Sequence, residues 1–462
     1  MPAPGNDADF PILTPITQLQ ARLASGKARA EGVLENSLAR IGDRTGEGAR
    51  TMTLVLEARA RAEARASDAL RRAGGALPPL SGLPITVKDL FDIAGEVTRA
   101  GSRVLGDAPP AQWDAPVVAR LRQAGAVILG KTNMVEFAFG GVGTNPHYGT
   151  PKSVFDRGTG RVPGGSSSGA AISVADGMCV AAIGTDTGGS CRIPAALNGL
   201  CGFKPTSGRI PLAGAFPLSP SQDTVGPLAP SVACCALIDA VLSGGDPRVP
   251  EALPLKDLRF AVPETLVFDD IEPVVSDAFG RALTRLSNAG AKITTIRLGA
   301  LAELSDPLRR HGIAAAESFA IHRPYLETRQ DMYDPEVLSR INRGQSLLAA
   351  DYIDLLAWRG RLSGAILDQL AGFDGVLLPT VPIVAPAIAD MADSEAYRRA
   401  NLALLRNTTV GNFLDVPALS VPCHEPDEAP VGLMLFGQPG TDSRVFAIGQ
   451  SLEACLSPSA RA

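Results

Sequence analysis

Apolar positions along this chain follow two periods, one helical and one extended. Near the start, Ile16, Leu19 and Leu23 recur at helical spacing behind Thr14-Pro15, which predicts a helix with Thr14 as its cap and Pro15 at its first position. Two further helices are expected at Ala30–Ile41 and at the Ala/Arg-rich Glu57–Ala73, so residues 1–75 read as a helical preface. The first buried strand is Leu83-Pro84-Ile85-Thr86-Val87-Lys88. Asp114 is expected to cap a helix over Ala115–Ala124, with a short strand at Ala126–Leu129 behind it. A small-residue helix (Ala170–Ala175) and a strand (Cys179–Ile183) follow, and the segments around Phe203–Thr206 and Asp223–Pro227 read as loop-rich returns to the core. From Val232 onward helices and strands alternate: helix Ala233–Leu242, strand Arg259–Val262, helix Val274–Ala289, strand Lys292–Ile296. Residues 300–370 are a mainly helical cover. Strands at Gly375–Leu378, Ala418–Val421 and Val431–Phe436 and a helix at Arg444–Leu452 close the chain. No polar linker interrupts the pattern, which predicts one α/β domain over residues 1–462.

Two glycine-flanked serines stand out against this background. Ser166 lies in Gly164-Gly165-Ser166-Ser167-Ser168-Gly169 and Ser190 in Gly184-Thr185-Asp186-Thr187-Gly188-Gly189-Ser190, 190 − 166 = 24 residues apart. The helix and strand between them double the chain back, so both loops can emerge on one side of a sheet. Glycine is entropically costly in ordered chain and makes sense where backbone approaches closely or N–H groups point into a cavity. Two other patterns mislead. Gly125–Thr132 fits GxxxxGK[ST], but a helix precedes it and its variable positions are strand-forming, so no phosphate-wrapping loop is expected. Gly165–Gly169 fits GxSxG around Ser167, but no buried strand leads into it, which argues against a nucleophile elbow.

Composition narrows the field. The 462 residues are 45% hydrophobic and 20% charged, with a net charge of −5, which gives no reason to expect nucleic acid or an anionic membrane as partner. Met1 to Phe10 lacks the basic and apolar regions of a signal peptide, and no apolar run is long enough to span a bilayer. Seven scattered cysteines argue against a disulfide framework, and four histidines without CxxC or HExxH argue against a metal site. A cytoplasmic protein with neither metal nor cofactor is expected.

Lys88 in Gly82–Asp89 and the two serine loops together resemble the amidase signature family. The likeness extends through Gly130–Ala138, Gly202–Thr206, Asp223–Pro227 and Pro417–Pro422. It implies one domain built on a large mixed β-sheet with helices on both faces. It also implies Ser190 as nucleophile, Ser166 as a bridging serine behind a cis peptide bond, and Lys88 as base. These roles agree with the residue chemistry. A serine hydroxyl needs a base to take its proton, and a lysine can serve only when neutral, which burial favours. Thr187, Gly188, Gly189 and Ser190 can aim N–H groups at a developing oxyanion. Gly165 belongs to the serine turn, and Asp186 and Arg192 are expected to pair and brace the loop, with Cys191 reserved for packing. Phe137, Phe139, Gly140, Gly141, Tyr148, Phe155 and Phe216 are the expected pocket, joined by Met434, which stands where many relatives carry Gln. Asn407-Thr408-Thr409-Val410-Gly411-Asn412 is likewise an unusual form of its segment.

The expected activity is hydrolysis of a C–N acyl bond in a small-molecule amide, with ester and carbamate (urethanase-like) scope. A glutamine-hydrolysing subunit that supplies ammonia to a partner protein would use the same three residues, and a non-catalytic binder on this fold is the third reading. Gly143–Gly149 and the acidic balance favour the stand-alone amidase. A homodimer is left open.

Overall fold

The computed structural model describes residues 12–457; Met1–Phe10, on which the leader reading rests, lies outside them. Eleven strands form one mixed sheet: β1 (Met52–Val55), β2 (Pro84–Lys88), β3 (Val127–Thr132), β4 (Ala181–Thr185), β5 (Cys201–Lys204), β6 (Val225–Ala229), β7 (Arg259–Pro263), β8 (Lys292–Ile296), β9 (Gly375–Pro379), β10 (Ala418–Pro422) and β11 (Gly432–Phe436). Their order across the sheet is β1-β3-β2-β4-β6-β5-β10-β11-β9-β7-β8. The β3-β2-β4 run is parallel, as are the β9-β7-β8 pairings, and the strands between are antiparallel. The expected α/β architecture with a large mixed sheet and many helices is what the chain adopts.

Strands at the centre of the sheet are buried along their whole length, so they read as continuous apolar runs and not as alternation. Apolar clusters pack against the sheet, the largest running from Ile16 and Leu83 to Phe446, another joining Val376, Leu378, Met434 and Phe436 to Trp358 and Phe413. Helices Pro307–Arg329, Pro335–Asn342 and Ala349–Leu370 occupy the region expected to be helical. No described helix is long and apolar enough to cross a membrane.

Several local expectations are corrected. The preface carries a strand, β1, whose four half-buried residues lie antiparallel to β3. Pro15 sits at the cap of helix Ile16–Ala24 and not at its first helical position. Asp114 does not cap the next helix: Ala115 does, with Pro116 first in Pro116–Gln123, while the Asp114 carboxylate accepts from Ala94 N–H and Arg122 Nε, both at 2.9 Å. The segments read as loops around 203–206 and 223–227 contain β5 and β6 at the middle of the sheet. Their Gly, Pro and Lys residues hid them, because pairing on both sides overrides local propensity. Gly130-Lys131-Thr132 lies within β3, so the phosphate-loop pattern is strand backbone.

Candidate active site

Side chains of a strand alternate faces, so Lys88 shares a face of β2 with Thr86. That face is covered by helix Ser168–Ala175, since Thr86 Oγ1 and Ser173 Oγ lie 3.0 Å apart. Lys88, last in the strand and fully buried, therefore ends beneath the turn that leads into this helix. Its Nζ donates to Ser166 Oγ at 2.7 Å and to Thr185 Oγ1 at 2.9 Å. Burial pushes the ammonium down to about 8, against the upward pull of the Asp186 and Asp223 carboxylates. Lys204, equally buried, is also lowered to about 8, but its Nζ donates only to Pro205 C=O and touches neither serine.

The Gly165–Ser166 peptide bond is cis. Gly165 is obligatory on steric grounds, because a Cβ there would stand 2.8 Å from Val135 and 2.9 Å from Gly143. Across the sheet edge, β4 ends at Thr185 and the chain turns through Asp186–Ser190 into helix Arg192–Ala196. The two serine loops meet through backbone, Ser167 N–H donating to Ser190 C=O at 3.3 Å. The Ser166 and Ser190 hydroxyls do not hydrogen-bond to each other among the described residues, a leg that in hydrolases commonly tightens only with substrate in place.

The Ser190 loop is braced by a fully buried ion pair, Asp186 with Arg192 (Nη2–Oδ1 2.8 Å, Nε–Oδ2 3.0 Å). Asp186 also accepts from Gly189 N–H (2.9 Å), Cys191 N–H (3.0 Å) and Asn412 Nδ2 (2.8 Å). Burial alone would raise this carboxyl, yet Arg192 and Asn412 hold it at about 2. Of the four N–H groups expected to face an oxyanion, Gly189's is therefore engaged by Asp186. Those of Thr187, Gly188 and Ser190 have no acceptor among the described residues. Burial raises the Cys191 thiol far above its ordinary value, and its sulfur packs near Gly226 C=O. No group of three or more His, Cys, Asp or Glu side chains suited to a metal is found among the described residues.

The sequence profile of the family described as Amidase matches residues 33–446. This chain belongs to the amidase family. It is 38% identical over 404 residues to 2-amino-5-chloromuconic acid deaminase of Comamonas testosteroni, covering 86% of this chain and 87% of that one. It is 36% identical to a glutamyl-tRNA(Gln) amidotransferase subunit from Chloroflexus aggregans, covering 95% of each. Among solved structures, a crystal structure of an amidase superimposes with a TM-score of 0.86 at 35% identity, over 96% of this chain and all of the other. The chain is thus an amidase-signature hydrolase acting on C–N bonds.

In this amidase, a cavity opens at Ser190, walled by Phe139, Gly140, Thr187, Gly188 and Leu218 and by four side chains not foreseen: Gln222, His311, Leu405 and Thr409. A neighbouring cavity shares Ala138 and Leu218 with it and is lined by Phe216, Leu90, Leu212 and Thr185. Other expected pocket residues lie elsewhere. Phe137 is buried behind Phe216 (ring centroids 5.1 Å) and against His322 (4.3 Å). Gly141 is packed under Leu405 and Ile193, with its N–H on Asn401. Tyr148 points its hydroxyl at Ser102 C=O (3.3 Å). Phe155 lies under the Arg161 guanidinium (5.7 Å). Met434, on β11, is wholly buried with its sulfur 3.1 Å from Arg192 Nη1, so it supports the loop from below and does not face the cavity. The unforeseen wall residues come from segments 30 to 220 positions away from Ser190, where no local pattern links them to it. Thr185 alone had a signal, its place in the Gly184–Ser190 motif.

Proposed function

We propose that this amidase cleaves its substrate through an acyl-enzyme on Ser190, with Lys88 as base and Ser166 as bridge. Neutral Lys88 takes the Ser166 proton while Ser166 takes that of Ser190. The Ser190 oxygen then adds to the carbonyl carbon, and the carbonyl π pair moves onto oxygen. On collapse of the adduct the proton returns through Ser166 to the departing nitrogen, and water repeats the sequence to release the acid. The N–H groups of Thr187, Gly188 and Ser190 receive the oxyanion. The observation that carries this reading is the 2.7 Å contact between Ser166 and a lysine with no exposed surface. Every residue of the set comes from one chain.

The substrate favoured is a small uncharged amide, with aryl ester and carbamate scope. Among the residues walling the Ser190 cavity there is no Asp, Glu, Lys or Arg. The Arg340 guanidinium, behind Gly140, is engaged by Phe139 C=O, the Tyr397 hydroxyl and their two rings. Free glutamine would bring an ammonium and a carboxylate with no counter-charge on that wall, and burying unpaired charge is unfavourable. This weighs against a glutamine-hydrolysing subunit, although one relative bears that name. A panel of p-nitroanilides, p-nitrophenyl esters and aryl carbamates run beside glutamine is the test. Turnover of glutamine alone, together with co-purification of a second subunit, reverses the ranking. A fluorophosphonate probe that fails to label Ser190 would instead favour a non-catalytic binder.

The pH dependence has a definite sign. Lys88 must be unprotonated, and its value in the folded chain is lowered to about 8. So kcat/KM is expected to fall about tenfold per pH unit below that value and to level off above it. A flat profile from pH 6 to 9 would contradict Lys88 as base.

A further inference from the structure

Asn407–Asn412, the segment whose sequence is unusual for the family, ends up against the Ser190 loop. It belongs to the last turns of helix Ser394–Phe413. Thr408 and Asn412 are four residues apart, so they present to the same side of that helix. Thr408 Oγ1 donates to Gly188 C=O at 2.6 Å. Asn412 Nδ2 donates at 2.8 Å to Asp186 Oδ1, the oxygen that accepts Gly189 N–H. One helix therefore holds both ends of a single peptide unit, the carbonyl of Gly188 directly and the N–H of Gly189 through a carboxylate.

A peptide unit is a rigid plane. With its C=O and its N–H both fixed, it cannot rotate, and the N–H groups on either side, those of Gly188 and Ser190, are fixed in direction as well. The approach is close: Gly189 has φ +133°, and a Cβ there would lie 2.1 Å from Thr408 Oγ1. No side chain larger than hydrogen fits. Thr409 Oγ1 reaches the same carbonyl only at 3.3 Å and also faces the cavity, so it is the weaker of the two holds. Neither Lys88 nor Ser166 hydrogen-bonds to Thr408.

We propose that Thr408 is a positioning residue of this amidase. Its hydroxyl, by holding the Gly188 carbonyl, aims the Gly188 and Ser190 N–H groups at the oxygen that becomes anionic when Ser190 adds to the substrate. The inference rests on Ser190 as nucleophile and goes beyond it in naming what orients the donors. A hydroxyl that acts in this way affects the transition state and leaves substrate binding and the lysine's titration alone.

The test compares Thr408→Val, which keeps the shape and loses the hydroxyl, with Thr408→Ser, which keeps the hydroxyl, on a p-nitroanilide and a p-nitrophenyl ester. Thr408→Val is expected to lower kcat by about 30-fold or more with KM within about threefold, while Thr408→Ser stays within about threefold of the parent. The rise of kcat/KM with pH keeps its midpoint in both variants. If Thr408→Val does not fold, Thr408→Ala is measured in the same way. An unchanged kcat in the hydroxyl-free variant, an equal loss in Thr408→Ser, or a change confined to KM overturns the proposal. Failure of the underlying reading looks different: it is turnover that survives Ser190→Ala.

Discussion

Replacing Ser190 by alanine is expected to reduce turnover by about 10⁴-fold or more, to the level that binding and oxyanion donors alone can sustain. Lys88→Met and Ser166→Ala each remove one step of the same proton path and are expected to lower kcat by about 10²- to 10⁴-fold. Because the three act as a unit, the double variant Lys88→Met/Ser190→Ala is expected to be no slower than Ser190→Ala alone. Steady-state rates on an activated anilide, with active-site titration by a fluorophosphonate, separate these cases. Full activity in Lys88→Met would remove the relay from consideration while leaving Ser190 in place. The burial that lowers Lys88 to about 8 makes this base workable near neutrality. Among the described residues its hydrogen-bond partners are two hydroxyls, with no carboxylate in contact to keep it charged.

The second large effect is on stability. Asp186→Ala would leave the Arg192 guanidinium buried without its counter-charge and would free the Gly189 and Cys191 N–H groups. Breaking a buried pair from one side is expected to cost about 3–5 kcal/mol, read as a shift in the urea midpoint at constant slope. A loss below about 1 kcal/mol would place the brace among exposed ion pairs in energetic terms. The same pair sets an acid limit. The folded Asp186 value of about 2 lies below the ordinary 3.8, so its contribution is fully present above the unfolded value and disappears as pH falls through about 2. In Asp186→Asn that part of the acid dependence should vanish.

The Asp186 brace also explains why Met434 and Asn412 matter without touching substrate. Arg192 is gripped by Asp186, by Asn412 Oδ1 at 2.5 Å and by Thr408 C=O at 2.9 Å, and rests on the Met434 sulfur. Segments far apart in the chain therefore converge on one guanidinium. The loop that carries Ser190 is held from the side opposite the cavity, so its N–H groups stay directed inward.

What the chain reveals by itself is local. Lys88 closing an apolar strand, the glycines around Ser166 and Ser190, and the 24-residue spacing that doubles the chain back are legible because each depends on neighbours a few positions away. The helices of the cover and most strands are legible for the same reason, since periodicity is a property of short windows. The tertiary structure alone decided the rest. β5 and β6 are strands because partners on both sides complete their hydrogen bonds, although their composition suggests turns. Gly189's N–H is turned away from the cavity by a carboxylate three residues back. The cavity wall is set by Gln222, His311, Leu405 and Thr409, and Phe137, Tyr148 and Met434 are excluded from it, by packing between elements up to 220 residues apart. Side-chain direction within a pocket is fixed by those long-range contacts, which leave no periodic trace in the sequence.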